Sequence, residues 1–242
     1  MEPGFFVDVH SHVVPSGDDG ATSVAEAIEL CRLAAVCGTR VLFATPHVHA
    51  PWDSYPWSER RRRTYRDAFP AVREAAAAVG LDLRRGAEVF PSQVAEADLG
   101  ELRLEGTDAV LVEFPGSWLS FEGQLDLVVE AAERVAAEGL VPVLAHPERC
   151  REVAAEPAAL ATYVERGWLL CLNGPSLSGG HGETAERVAW ELIDGGLVSL
   201  VASDGHRLHR PPTLDEAWAA AVGRLGEGRA RPLFDGSALP WR

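Results

Sequence analysis

The 242-residue chain carries a formal net charge of −14 and is 47% hydrophobic, which argues against an extended nucleic-acid face and suits one large domain. No apolar run approaches a membrane span, and the N-terminus lacks the basic and apolar regions of a signal peptide, so a cytoplasmic protein without membrane insertion is expected. Four cysteines, Cys31, Cys37, Cys150 and Cys171, show no paired short spacing, which argues against a zinc knuckle or a disulfide framework.

Strand-like and helix-like segments alternate, the pattern of a parallel barrel or open sheet. The first strand, near 4–10, runs into Asp8-Val9-His10-Ser11-His12, and alternation puts His10 and His12 on one face. After a helix near 22–37, a strand near 40–45 leads into His47 and His49. A helix near 58–79 precedes a strand near 82–88 ending in Glu88, and the next strand, near 108–114, carries Glu113. A helix near 122–138 leads to a strand near 141–146 ending in His146, then a helix near 157–166 and a strand near 168–173. A helix near 183–195 is followed by a strand near 197–203, which runs into Asp204 and His206. The last helix is placed near 212–226, with a short tail over 227–242. Gly38, Gly80, Gly139, Gly167 and Gly196 each follow a helical pattern, as C-terminal caps do. Seven strands with helices between them predict a single domain over 1–242, a barrel one strand short of eight.

Two stretches interrupt this rhythm. His49-Ala50-Pro51-Trp52-Asp53-Ser54-Tyr55-Pro56-Trp57 cannot be a helix; its aromatic residues either wall a pocket for a planar group or pack on the next helix. Arg60 to Arg63 reads as a solvated helix face, with phosphate binding as the alternative.

Ligand-type residues at successive strand ends describe a polynuclear metal site at one mouth of an α/β barrel. Five imidazoles (His10, His12, His47, His146, His206) and four carboxylates (Asp19, Glu88, Glu113, Asp204) are too many for one zinc, which takes about four. They fit two or three divalent cations with a bridging carboxylate, and mixed nitrogen and oxygen ligands allow Mn, Fe or Zn. Four carboxylates with three such ions would leave the site positive, suited to a phosphate dianion, with a hydroxide held between metals as nucleophile. Arg149 and Arg210 could clamp phosphate oxygens. None of the cysteines begins a Cys-x5-Arg loop, and the sequence has neither a Gly-x-Ser-x-Gly elbow nor a P-loop.

The Asp-x-His-x-His start, Thr45-Pro46-His47, Gly86-Ala87-Glu88, Glu113-Phe114, Ala145-His146-Pro147-Glu148-Arg149 and Ala202-Ser203-Asp204-x-His206 resemble the polymerase-and-histidinol-phosphatase (PHP) superfamily. Asp18-Asp19-Gly20 and Arg210-Pro211-Pro212 resemble more narrowly the manganese-dependent protein-tyrosine phosphatases of bacterial capsule and exopolysaccharide operons. The similarity spans roughly residues 5 to 225. It implies a distorted seven-stranded (β/α)7 TIM-like barrel, the PHP fold, holding three divalent ions, Mn2+ foremost with Fe or Zn as alternatives. By motif position, His10, His12, Glu88 and Asp204 would hold one ion. Glu88 would bridge to a second, shared with Glu113 and His146, while Asp19, His47 and His206 would hold the third. Arg149 would bind the phosphate, and Asp8 would orient ligands from behind.

The implied activity is hydrolysis of phosphotyrosine on a protein substrate, a tyrosine kinase of polysaccharide export, by attack of a metal-bridging hydroxide on phosphorus. A small-molecule phosphatase of the histidinol-phosphatase kind and a non-catalytic regulatory module are the alternatives. The segment between His206 and Arg210 is one residue shorter than the family pattern. The general acid is unassigned, with His49, His209 and Asp18 as candidates.

Overall fold

The computed structural model describes residues 6–49, 55–95, 97–116 and 123–242. Among these the strands are β1 (Phe6–Asp8), β2 (Thr39–Ala44), β3 (His47–Val48), β4 (Asp82–Arg85), β5 (Glu88–Val89), β6 (Ala109–Glu113), β7 (Val141–Ala145), β8 (Leu169–Asn173) and β9 (Leu200–Ala202). The helices are α1 (Val24–Val36), α2 (Glu59–Ala78), α3 (Pro91–Val94), α4 (Leu99–Leu102), α5 (Gln124–Ala137), α6 (Arg151–Ala155), α7 (Ala161–Glu165), α8 (Glu183–Asp194), α9 (Asp215–Leu225) and α10 (Glu227–Ala230). The helix expected near 157–166 is instead a 3-10 turn over Pro157–Leu160 followed by α7. The five glycines expected to end helices all have positive φ.

Every pairing between named strands is parallel, in two sheets of order β1-β2-β4 and β3-β5-β6-β7-β8-β9. The fold is therefore α/β with parallel sheets, but among the described residues nine strands stand where seven were expected, and no ladder between named strands joins the two sheets into a closed barrel. The physical reason lies at two interruptions. Thr45-Pro46 separates β2 from β3, since proline has no N–H to give a ladder, and Gly86-Ala87 separates β4 from β5. Hydrogen bonds nevertheless cross both gaps, from Gly86 N to Ala44 O (3.0 Å) and from Glu88 N to Pro46 O (3.1 Å). Past the ends of β1 and β9, Asp204 N donates to His10 O (2.9 Å) and His12 N to Gly205 O (2.7 Å).

Alternate strand residues separate two apolar surfaces. Val7, Val41, Phe43, Ala109, Leu111, Val143, Ala145, Cys171, Leu200 and Ala202 form one cluster, joined by Leu239 from the C-terminal segment. Opposite-facing Leu42, Ala44 and Leu83 pack with α1 and α2, and Val110, Val112, Leu144, Leu170, Leu172 and Val201 pack with α5 and α8. The helix starts are capped: Ser23 Oγ accepts from Glu26 N (3.2 Å) at α1 and Ser58 Oγ from Arg61 N (3.4 Å) at α2. Residues 227–242 are tied to the sheets, with Val7 N donating to Phe234 O (2.8 Å) and Asp108 N to Pro240 O (3.0 Å).

Phe234, 1% exposed, has its ring centroid 6.0 Å from Phe6 and 5.5 Å from Trp218. Phe234→Ala should therefore lower the unfolding free energy by about 3–5 kcal/mol, measured by denaturant titration. A loss below 1 kcal/mol would mean that the C-terminal segment contributes little to the core.

Candidate metal centre

Glu88 opens β5 directly after the Gly86-Ala87 break, and its carboxylate is surrounded by imidazoles. Its Oε1 lies 2.9 Å from His146 Nε2. Its Oε2 lies 3.2 Å from His10 Nε2, 3.3 Å from His12 Nε2 and 2.9 Å from His47 Nδ1. None of these three contacts has hydrogen-bond geometry, so Oε2 is a buried carboxylate oxygen with no donor. His10 Nε2 and His12 Nε2 also face each other at 3.2 Å. Buried polar atoms are ordinarily paired, and nitrogens converging on an orphan carboxylate oxygen fit a shared cation.

Four sets of ligand atoms each gather within 4.8 Å: His12, Asp19, His47 and His206; His10, His146 and Asp204; His10, His12 and Glu88; His47, His49 and Glu113. Every one of the nine ligands expected from sequence falls in at least one set. The grouping differs in three places, the first being that His146 gathers with His10 and Asp204. Glu113 stands with His47 and His49 rather than with His146, its Oε2 being 3.0 Å from His49 Nε2. His12 approaches Asp19 and His206 as well as Glu88. His49, read from sequence as a loop residue and general-acid candidate, thus stands among the ligand-type groups. Its signal was available, because His47-x-His49 repeats the spacing of His10-x-His12.

Local backbone geometry aims these groups. His146 (φ 44°) and Asp204 (φ 51°) are the non-glycine residues with positive φ among those described, a conformation costing about 1–3 kcal/mol and typical of functional positions. Asp8 Oδ1 accepts from Ser203 N (3.0 Å) and His10 N (3.3 Å), joining the ends of β1 and β9. Burial pushes the Asp8 carboxyl up to about 6, against those hydrogen bonds. A Cβ on Gly20 would lie 2.2 Å from His12 O, so only glycine lets the Asp18-Asp19 turn pack on the His12 backbone.

Within that turn the two aspartates separate. Asp19 Oδ1 faces His47 Nε2 (3.5 Å) and His206 Nε2 (3.4 Å). Asp18 Oδ2 instead accepts from His47 N (3.2 Å) and approaches His12 Nδ1 (3.4 Å) and Arg61 Nη2 (3.4 Å). Although burial raises the Asp18 carboxyl, His12 and His47 hold it well below the carboxylate range, so it has no proton to donate near neutral pH. His209, the remaining general-acid candidate, is exposed.

Arg61 shows why the 60–63 run is not one solvated face. Arg60, Arg62 and Arg63 are exposed, but Arg61 is 6% exposed. Its guanidinium donates to Ser16 O (2.9 Å), Ser16 Oγ (3.2 Å), His47 O (3.0 Å) and Tyr55 O (2.6 Å). It therefore ties α2 to the segments carrying His12, Asp19 and His47. Hydrophobic periodicity could not distinguish it from its neighbours. Of the aromatic loop, residues 50–54, including Trp52, lie outside the described residues. Tyr55 stacks on His47 (5.2 Å, 7°), whereas Trp57 packs on α2 against Tyr65 (6.2 Å). A cleft of about 800 Å3 opens beside His49 and Trp57, with Arg62 and Arg66 on its rim.

The two arginines expected to hold phosphate meet on Asp204. Arg149 Nη1 is 3.1 Å from Asp204 Oδ2, and Arg210 Nη2 contacts the same oxygen. Asn173 Nδ2 donates to it at 2.7 Å. The short segment after His206 folds back, with His206 N donating to Arg210 O (2.9 Å) and Arg210 N to Arg207 O (2.8 Å), which brings Arg210 within reach.

The electrostatics agree with a demand for positive charge. Burial opposes charge on His47, yet Glu88 and Asp19 push its imidazole up to about 10. Burial likewise opposes ionisation of Glu88 and Asp204, but neighbouring imidazoles hold both well below the usual range. Divalent cations would meet this demand and release the imidazole protons, so the donor set fits metal ions.

A family model described as "Capsular polysaccharide synthesis, CpsB/CapC" matches residues 6–238. The chain is 32% identical to "Tyrosine-protein phosphatase YwqE" of Bacillus subtilis over 218 residues, 84% of this chain and 78% of that protein. It is 26% identical to "Tyrosine-protein phosphatase CpsB" of Streptococcus pneumoniae, covering 94% of each. A solved structure described as "Crystal structures of YwqE from Bacillus subtilis and CpsB from Streptococcus pneumoniae, unique metal-dependent tyrosine phosphatases" matches with TM-score 0.76 and 26% identity, covering 94% of this chain and 90% of that one. A phosphotriesterase homology protein from Escherichia coli matches with TM-score 0.54 at 10% identity over 97% of each chain, a likeness of fold alone.

Arg61→Ala should weaken metal retention by roughly 10- to 100-fold, the usual loss when a residue supporting the ligands is removed. Equilibrium dialysis with metal analysis, alongside circular dichroism, measures this. Unchanged retention in a folded variant would reduce Arg61 to a packing role.

Proposed function

This chain belongs to the CpsB/CapC family of capsular polysaccharide synthesis, and from that premise we propose that it is a metal-dependent protein-tyrosine phosphatase acting on a tyrosine kinase of capsule or exopolysaccharide export. The observation that carries the reading is the position of Asp204. One of its oxygens faces His10 and His12 at 3.3 and 3.5 Å, and the other meets Arg149 and Arg210. A cation site and two guanidinium groups thus adjoin, as phosphoryl chemistry requires.

In this reading the sheets form a distorted seven-stranded barrel, β2 with β3 and β4 with β5 each counting as one strand. The hydrogen bonds across both gaps and from Asp204 to His10 support that closure. Three divalent ions would be held at its mouth, Mn2+ foremost. His10, His12, Glu88 and Asp204 would hold one, and Glu88 would reach a second with His146. Asp19, His47 and His206 would hold the third, with Glu113 and His49 as donors on the His47 side. When bound, such ions supply Lewis acidity and make hydroxide available near neutral pH.

The protein's own residues do the rest. Arg149 and Arg210 orient the phosphoryl group and offset its growing charge. A tyrosyl leaving group, with pKa ~10, needs less protonic help than an alkoxide. Thiolate attack is opposed by burial, which pushes Cys31 up to about 12 and Cys150 up to about 11. The cysteines are free thiols, which supports action in the cytoplasm.

Phosphotyrosine peptide, phosphoserine peptide and histidinol phosphate, compared by kcat/KM, test the substrate class. The phosphotyrosine peptide should lead, and a tenfold preference for histidinol phosphate would favour the small-molecule alternative. Chelation should abolish hydrolysis and Mn2+ restore it, while changing all four cysteines to serine leaves turnover largely intact. A trapped phosphocysteine would refute the metal mechanism. Arg149→Ala should cost on the order of 10²-fold in kcat/KM, and Lys should rescue only in part because it lacks the planar fork. An unaltered kcat/KM in Arg149→Ala would make that residue structural.

A further inference from the structure

Beside Arg149 lies a second cleft, of about 350 Å3, lined among others by Glu148, Arg149, Arg151, His181 and Thr184. Arg149 also touches Asp204, so the cleft adjoins the metal centre. His181 lies between the 3-10 helix Gly174–Ser178 and α8. The structure builds it into a chain of hydrogen bonds: its Nδ1 is 2.9 Å from Ser176 Oγ, and Ser176 Oγ donates to Glu148 Oε1 at 2.7 Å. The loop is held by Gly180 N donating to Pro175 O (2.8 Å). A Cβ on Gly180 would lie 3.0 Å from that carbonyl oxygen.

The direction of each bond follows from the donor count. Glu148 Oε1 also accepts from Asn173 N (3.0 Å), so it is the accepting oxygen in either protonation state, a carboxylic proton residing on Oε2. Ser176 has one hydroxyl hydrogen, directed to Glu148. Its oxygen must therefore accept from His181 Nδ1–H. In a neutral imidazole that leaves Nε2 with a lone pair, an acceptor. Burial, with Arg149 and Arg210 nearby, pushes His181 down to about 4, which supports the neutral form.

An acceptor selects a donor. A phosphate dianion and an aryl oxygen offer none, and an ammonium group is repelled by the guanidinium groups of Arg149 and Arg151. Of the groups that a protein substrate carries beside its phosphorylated residue, the main-chain N–H is the neutral donor present whatever the flanking sequence. We infer that this cleft is a peptide subsite in which His181 Nε2 accepts a main-chain N–H of the substrate segment flanking the phosphorylated residue. The inference rests on the phosphatase reading and deepens it, since it gives the site a means of distinguishing a protein substrate from a small phosphomonoester.

The experiment compares a phosphotyrosine peptide with p-nitrophenyl phosphate, which has no main chain, using metal-loaded wild type, His181→Ala and Ser176→Ala. In His181→Ala the ratio of kcat/KM for peptide to that for p-nitrophenyl phosphate should fall about two- to tenfold, the worth of one neutral hydrogen bond, mostly through KM. Ser176→Ala, which frees the imidazole to exchange tautomers, should move the ratio the same way by less. A ratio unchanged in His181→Ala, whether both substrates lose equally or neither does, overturns the subsite. Wild-type protein that hydrolyses neither substrate would instead defeat the phosphatase reading, and the subsite with it.

Discussion

A buried carboxylate ringed by imidazoles can keep its charge only if something positive joins the ring, and Glu88 is in that situation. Removing an ion from water costs several kcal/mol even after relaxation. Protonating the imidazoles is a partial answer, visible in the upward push on His47 to about 10. It cannot be complete, because His10 Nε2 and His12 Nε2 stand 3.2 Å apart and two adjacent imidazolium groups would repel. Divalent cations would remove the conflict by attracting the carboxylates and using the imidazole lone pairs together. Much of the surrounding backbone brings imidazoles and carboxylates together around this one side chain.

The two strand interruptions are part of that assembly. Through the Thr45-Pro46 and Gly86-Ala87 breaks, His47 and Glu88 become direct partners across the β3–β5 pair. A Cβ on Gly86 would lie 2.7 Å from Leu104 Cδ2 and 3.0 Å from Thr45 Cγ2, so the second break also depends on close packing. The left-handed conformations of His146 and Asp204 act similarly at the ends of β7 and β9. Regular ladders give way where ligands must be aimed, and the buried sheets and helices carry the strain.

Apart from Asp19, which sits in the turn before α1, the candidate ligands were legible because they stand at or just beyond an apolar run, and strand ends on one side of a parallel sheet converge. The helix ends were legible too, since the glycines that stop them have a local conformational reason. Contacts made by side chains across distant segments were not legible. Nothing in Arg60 to Arg63 marks Arg61 as the buried member, because its partners are carbonyls from residues 16, 47 and 55. Nothing near His181 announces Ser176 and Glu148, which reach it through the turn after β8. The regrouping of Glu113 with His49 likewise depends on β3 facing β6 across β5, a fact of sheet order that local pattern does not contain.

Asp204 connects these levels. Its Oδ1 faces His10 and His12, while its Oδ2 receives Asn173, Arg149 and Arg210. A guanidinium has five N–H donors in a planar fork, so each arginine can stay anchored to Asp204 and still present N–H groups to a phosphoryl oxygen. A lysine would have a single ammonium to divide between the two. In the proposed phosphatase the anchor would fix the arginines before substrate arrives, and donors already in position need little reorganisation as charge develops. The same carboxylate that would help to define the cation site would therefore set the position of the proposed phosphate-binding groups. Moving Asp204, even with every other ligand intact, would disturb both halves of the centre at once.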